Sequence, residues 1–231
     1  MNRQSIERIL SKYLPPDAVE PCTDWIIQHK VKLKITRSRS SRYGDYTSPR
    51  NGDGHIITVN HNLNKYFFLL TFIHEMAHLC CHESRGKRFF APTAPHGMEW
   101  KNEFIRLLDP LSLRKFFPPD LAHAIERYMN NPAASSCTDI NLMRALKKYD
   151  DDKDKNIFHL EDLPLESVFR LADEKNKARY RKGERLRKRF RCIEINSQTL
   201  YLVSPIAEVE LIEIPKSASK KVVQLSVFDL D

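Results

Sequence analysis

The sequence predicts an α+β protein in two parts: a helix-rich unit around one buried helix and a small sheet, then a small all-β domain. Three observations carry this expectation. An apolar stretch with nothing to break a helix runs from Leu63 to about Glu83, and β-branched alternation lies just upstream of it. After Asp150, helical periodicity gives way to short strand-like runs separated by turn residues.

At the start, Ile6, Ile9, Leu10 and Tyr13 recur at helical spacing and stop before Pro15 and Pro16, which predicts a short helix. A second covers Ala18 to His29. Val31 to Ile35 and His55 to Val59 read as two strands, with Gly44, Gly52 and Gly54 punctuating a loop between them. The helix from Leu63 to about Glu83 is apolar around most of its circumference, so it belongs in the domain centre. Trp100 to Leu108 and Leu121 to Met129 predict further helices, closed by Asp109-Pro110 and Asn131-Pro132, after which helical character fades. Ser167 to Leu171, Arg189 to Ile195, Leu200 to Val203 and Ala207 to Ile214 read as strands, with Asn196-Ser197 as a turn. The expected organisation is residues 1–148 as the first domain, 149–165 as a linker, 166–215 as a basic β domain and 216–231 as a flexible tail. The acids Asp150, Asp152 and Asp154 with Glu161 imitate a calcium loop, but Lys155 stands where the sharp turn needs glycine, so a polar linker is the better reading.

Composition narrows the chemistry. Of 231 residues 41% are hydrophobic, and the longest apolar run, Tyr66 to Ile73, is far short of the ~20 residues of a membrane span. Arg3, Glu7 and Arg8 interrupt the start, which does not read as a signal peptide, so a cytoplasmic protein is expected. The five cysteines form no CxxC pair, which argues against a disulfide framework or a four-thiolate ribbon and fits a reducing compartment. The six glycines form no GxGxxG, GxxxxGK[ST] or GxSxG pattern, which disfavours dinucleotide, nucleotide triphosphate and serine-hydrolase chemistry.

Charge is concentrated. Lys175 to Arg191 holds ten basic residues against one acid, Glu184, in a chain whose net charge is +8. Such a stripe is what a phosphate backbone selects, because each neutralised phosphate releases counterions. Arg185, Arg187, Lys188, Arg189 and Arg191 are the candidate DNA contacts; a solvated strand face is the plainer alternative. Tyr180 and Phe190 could stack on bases or belong to the core.

The chemistry-bearing motif is His74-Glu75-Met76-Ala77-His78, an HExxH on the buried helix. Histidines four apart share a face, so both imidazoles reach one Zn²⁺ while Glu75 serves as general base toward water. A catalytic zinc needs a third ligand. His82 lies ~12 Å along the axis from His74, too far to share the ion. His96 follows a loop with Pro92 and Pro95 that can fold back over the metal, and it is preferred; Glu99 and Glu103 are alternatives by spacing.

These segments, HEMAHL at 74–79 and HGMEWKNEF at 96–104, preceded by TRSRSSRYGDY and ITVNHNLN, resemble the SprT-like zinc metallopeptidases over roughly Ile35 to Leu108. The resemblance implies a zincin-like fold, zinc on His74, His78 and His96, and Glu75 as the catalytic glutamate. Spartan proteases of this family cut proteins crosslinked to DNA, which implies that substrate class. Many bacterial members carry a four-cysteine ribbon after the protease domain; this chain has none, and the basic stripe is the substitute for DNA contact. Tyr43, Tyr46 and Arg42 lie beside an expected edge strand where substrate could add, although structural roles suit them equally. Trp100, at helical spacing with Phe104, Leu107 and Leu108, reads as core.

Gln224-Leu225-Ser226-Val227-Phe228 resembles the peptides by which bacterial repair proteins dock on the DNA-polymerase sliding clamp, which makes Gln224, Leu225 and Phe228 candidate partner contacts. A last strand of the β domain is the alternative. Two other functional classes stay open: a DNA- or clamp-binding adaptor with a structural zinc, and a zinc hydrolase of non-protein amides.

Overall fold

A computed structural model describes residues 2–39, 42–49, 54–85, 96–130, 139–150, 157–172 and 177–215. The chain is mixed α+β, with one three-stranded sheet and a separate six-stranded antiparallel sheet. It divides into two compact units, Met1–Asp151 and Asp152–Asp231. Among the described residues no helix is long and apolar enough to cross a membrane.

The first unit opens with α1 (Arg3–Leu10), capped by the Asn2 side chain, which accepts from Ser5 N–H, and α2 (Pro16–Gln28). Pro16 sits at the first helical position of α2, where its missing N–H removes no helical bond, so the helix starts two residues before the expected Ala18. Strand β1 (Lys32–Thr36) pairs parallel with β3 (Ile56–Asn60), and β2 (Gly44–Thr47) pairs antiparallel with β3 from the other side. The expected loop between two strands thus holds a third. Its four residues, with glycine first, are too short for a visible alternation.

Helix α3 (Lys65–Arg85) lies against β2, β3 and α4 (Met98–Leu107). Phe68, Leu69, Leu70, Phe72, Ile73, Met76 and Ala77 are fully buried, which explains a helix apolar around most of its circumference. Two helices were not legible in the sequence. Asp109-Pro110 reads as a stop, yet Pro110 begins α5 (Pro110–Phe116), since proline suits a first turn as well as it ends a helix. After α6 (Pro119–Met129) comes α7 (Ile140–Lys147), eight residues whose N-cap Asp139 accepts from Leu142 N–H at 2.9 Å.

The second unit is one sheet in the order β4-β9-β5-β6-β7-β8. The strands are β4 (Ile157–His159), β5 (Val168–Leu171), β6 (Arg179–Leu186), β7 (Arg189–Glu194), β8 (Leu200–Val203) and β9 (Glu208–Glu213). The expected linker over 149–165 is corrected in part: Ile157 to His159 pair antiparallel with Glu210 to Glu208, and Leu160 and Leu163 belong to the core with Phe169, Tyr180, Phe190, Cys192 and Val209. The supposed calcium-loop acids Asp152 and Asp154 lie outside the described residues.

Candidate metal centre

Helix α3 begins where the side chain of Asn64 accepts from the N–H groups of Tyr66 and Phe67, at 3.1 and 2.9 Å, a polar start for an otherwise apolar helix. Ten residues further on, His74 and His78 stack one turn apart, with ring centroids 5.1 Å apart. His96 enters from the other side, just ahead of Gly97, the N-cap of α4. The Nε2 atom of His96 lies 3.1 Å from that of His74 and 3.0 Å from that of His78.

Hydrogen bonding alone does not account for this convergence. A neutral imidazole Nε2 either carries one proton or offers one lone pair, so His96 satisfies only one of two facing nitrogens. Around a cation with metal–nitrogen distances of ~2.0–2.1 Å and tetrahedral angles, coordinating nitrogens stand about 3.3–3.4 Å apart, close to what is seen. The ligand atoms of all three residues lie within 4.8 Å of one another, and this is the one such group found among the described residues. Burial also prepares them as donors. It lowers His74 to about 3, reinforced by His78 and His96, and lowers His96 below the usual imidazole range. Both therefore stay neutral, the form that binds metal.

Trp100 holds the arrangement. It is 2% exposed, its ring centroid lies 4.6, 5.6 and 4.8 Å from those of His74, His78 and His96, and its indole N–H donates to the His74 carbonyl at 3.3 Å. Phe104 stacks behind it at 5.0 Å. The indole expected in the core is core, and the surface it covers is the imidazole cluster.

Glu75 points to β2. Its side chain is buried, and desolvation raises the carboxyl to about 8, with Asp45 pushing the same way. Arg39, Arg42 and a hydrogen bond from the Tyr46 backbone N–H oppose the rise. A dication on the neighbouring imidazoles would act in the same direction as those arginines. The approach of β2 requires glycine: a Cβ on Gly44 would stand 2.7 Å from Glu75 Oε1 and 2.7 Å from Thr71 Cγ2. In the sequence Gly44 reads as loop punctuation, and nothing there gives Asp45 and Arg39 a role at Glu75. The available signal was a glycine in a β-capable stretch, which marks close backbone approach.

The other candidates lie elsewhere. His82 packs near His55 and Tyr46, at centroid distances of 5.8 and 6.2 Å. Glu99 is exposed and Glu103 accepts from Arg106 at 2.8 Å; neither belongs to the cluster. Tyr43 packs on Phe67, Arg42 pairs with Asp45, and the Tyr46 hydroxyl lies 2.9 Å from His55 Nδ1, so Tyr46 reaches Glu75 through its backbone. Glu83 bridges His29 and His55 at 2.7 and 3.4 Å, an assembly of residues too distant in sequence to leave a pattern.

In the second unit the basic run is split by strand alternation. Arg185 stands one residue before the end of β6, Arg187 and Lys188 form the turn, and Arg189 and Arg191 stand on β7; all five are exposed. Lys182, by contrast, is 3% exposed; its Nζ donates to the carbonyls of Glu161 and Leu163 and sits 4.2 Å from the Phe190 ring centroid. Tyr180 and Phe190 are core residues, which removes them as stacking platforms. Gln224, Leu225 and Phe228 lie outside the described residues. Comparison with family models, curated proteins and solved structures finds no match to the chain.

Proposed function

We propose that the chain is a zinc-dependent, zincin-like metallopeptidase of the SprT type, hydrolysing peptide bonds of DNA-associated or DNA-crosslinked proteins. The observation that carries the reading is the meeting of three imidazole Nε2 atoms, two of them from the same helical stretch that carries the buried Glu75. Three nitrogen donors without thiolate or carboxylate suit a catalytic zinc better than calcium or magnesium, which prefer oxygen. Bound there, zinc supplies the Lewis acidity that polarises a carbonyl and brings the pKa of water toward ~7.

The chain's own residues do the rest. Glu75 takes the proton from water and delivers it to the departing amine, a step general acid–base catalysis typically accelerates by ~10²–10⁴-fold. The Tyr46 N–H aims the carboxylate, and Trp100 keeps the imidazoles in place. Strand β2 ends its sheet, so an extended substrate added there lies along the side that carries Glu75. Arg185, Arg187, Lys188, Arg189 and Arg191 would hold DNA, and the tail at Gln224, Leu225 and Phe228 a sliding clamp.

The test is metal analysis combined with cleavage of a protein crosslinked to DNA. Wild type should carry one zinc per chain and cleave; Glu75→Gln should keep the zinc and lose cleavage by about 100-fold or more. Undiminished cleavage by Glu75→Gln would overturn the reading. A second reading, an adaptor with structural zinc, draws support from the five exposed cations, which need no catalytic step. Under it, reversing charges at Arg185 to Arg191 abolishes function while Glu75→Gln leaves it intact. DNA affinity should fall with salt, the log–log slope shrinking by about one for each contacting arginine removed.

A further inference from the structure

We propose that the groove between α1, α2 and the outer edge of β1 is a docking site for an extended peptide whose acidic and apolar side chains alternate. The backbone gives the first argument. Lys32 N–H donates to the His55 carbonyl at 2.7 Å, and the Thr36 carbonyl accepts from His61 N–H at 2.9 Å, so residues 32 and 36 turn toward β3. In a parallel ladder alternate residues address opposite neighbours, and Leu33 and Ile35 therefore aim their N–H and C=O groups outward. Among the described residues no strand covers that edge.

The open edge is also the wall of a cavity of about 500 Å³, lined by Leu33 and Ile35 with Ile6, Ile9, Ile26 and Val31. Leu33 and Ile35 pair with Ile57 and Val59, both fully buried, which defines the core face of β1. Lys32 and Lys34 project from the opposite face, exposed, while Lys30 and the Lys32 residue position border the cavity at its rim. Among the described residues none of the three lysines has a carboxylate partner within ion-pair distance. An added strand would put every second side chain into the apolar cavity and the intervening ones beside lysines. Apolar residues fit the first set and acids the second.

Lys30 supplies an independent observation. It sits just past the end of α2 with φ 52°, while Val31 N–H bonds Ile26 O at 2.9 Å and Lys30 N–H bonds Ile27 O at 3.2 Å. That is a Schellman ending with lysine at the left-handed position where glycine is unstrained. The neighbouring chain accommodates it: a Cβ on Gly54 would stand 2.7 Å from the Lys30 carbonyl. A strained cation at the mouth of an apolar groove has a reason to be there if it meets a negative ligand. A fatty carboxylate would use cavity and lysines but leave the outward backbone groups of Leu33 and Ile35 unmatched, so a peptide is the better occupant.

β1 and β2 are opposite edges of the sheet, so this site is separate from the edge beside Glu75 and does not depend on the zinc reading. The experiment is fluorescence anisotropy of the full chain with a short labelled peptide alternating aspartate and leucine. Saturable, salt-weakened binding is expected, with none for the version carrying lysine in place of aspartate. Lys30→Gly should weaken binding about two- to fivefold, as for an exposed ion pair, while raising the thermal midpoint. Lys32→Glu should weaken it further. Leu33→Pro, which removes an outward N–H, should abolish it with the circular dichroism spectrum retained. His96→Ala should leave affinity unchanged. Absence of binding, indifference to both lysine substitutions, loss of binding in His96→Ala, or displacement by decanoate with no effect of Leu33→Pro would each overturn the proposal.

Discussion

Gly44→Ala tests the link between β2 and the candidate general base. The added Cβ would stand 2.7 Å from both Glu75 Oε1 and Thr71 Cγ2, where ordinary contact begins at 3.4 Å, so strand and carboxylate must separate by about 0.7 Å. Overpacking of this kind costs about 1–3 kcal/mol, or roughly 2–4 °C of melting temperature per kcal/mol for a unit of this size. Displacements near 1 Å in a reacting group can cost ~10²-fold in rate. The atoms nearest that Cβ belong to Glu75 and Thr71, so zinc content should not change. Thermal melts, zinc stoichiometry and cleavage of a DNA-crosslinked protein should show a lower midpoint, unchanged metal and turnover reduced ~10- to 100-fold. A variant with wild-type melting and wild-type turnover would refute the inferred close approach. Loss of zinc would mean that β2 supports the imidazoles as well.

Other perturbations read other parts of the molecule. His96→Ala removes the nitrogen on which the other two converge and should abolish stoichiometric zinc binding by metal analysis; full retention would exclude His96 as a ligand. Lys182→Met strands the carbonyls of Glu161 and Leu163 and should cost about 1–3 kcal/mol in denaturant melts, whereas exposed Arg187→Ala should stay within about 0.5 kcal/mol. In chelated protein, burial holds His74 at about 3 and His55 below its usual range, so unfolded imidazoles bind protons first and stability falls as pH drops below 6.5. Glu75 has the opposite sign: with its folded pKa raised to about 8, it contributes stability that is lost as pH rises from 4.5 through 8. The metal-free optimum should therefore lie near pH 6.5, and Glu75→Gln should flatten the decline between 6.5 and 8; an unchanged alkaline decline would contradict the assignment.

What the sequence made legible was local. HExxH places two imidazoles and a carboxylate by helical period alone, and the apolar circumference of residues 63–83 predicts burial of α3 without any partner being known. Elements that escaped were short or carried mixed signals. Pro110 starts a helix where Asp109-Pro110 suggested an end, and β4 has three residues in a polar setting. β6 was hidden because Lys182 occupies a core position: a cation there interrupts the apolar alternation that identifies a strand, and only its two carbonyl partners, contributed by Glu161 and Leu163, make the burial tolerable. The same fact explains why the basic run is not one surface. Adjacent charges on a strand face opposite ways, so Arg181 and Lys182 cannot both meet one phosphate backbone.

The setting of Glu75 shows where the limit lies. The motif names the carboxylate, but its proton affinity is set first by burial and then adjusted by Asp45, Arg39, Arg42 and the Tyr46 N–H, some thirty residues upstream and brought in by an antiparallel pairing of four residues. Nothing in the helical period specifies that pairing. It depends on Gly44 lacking a side chain, on Asn60 accepting from Arg39 and donating to the carbonyls of Arg39 and Arg42, and on Ile57 and Val59 holding β3 against the core. Asn60 is 1% exposed, and truncating it to alanine would leave the Arg39 and Arg42 carbonyls unmatched and remove one of the two side-chain hydrogen bonds that hold the Arg39 guanidinium, which restrains the Glu75 carboxyl. A residue with no contact to the imidazoles would thereby shift the pH at which Glu75 gives up its proton.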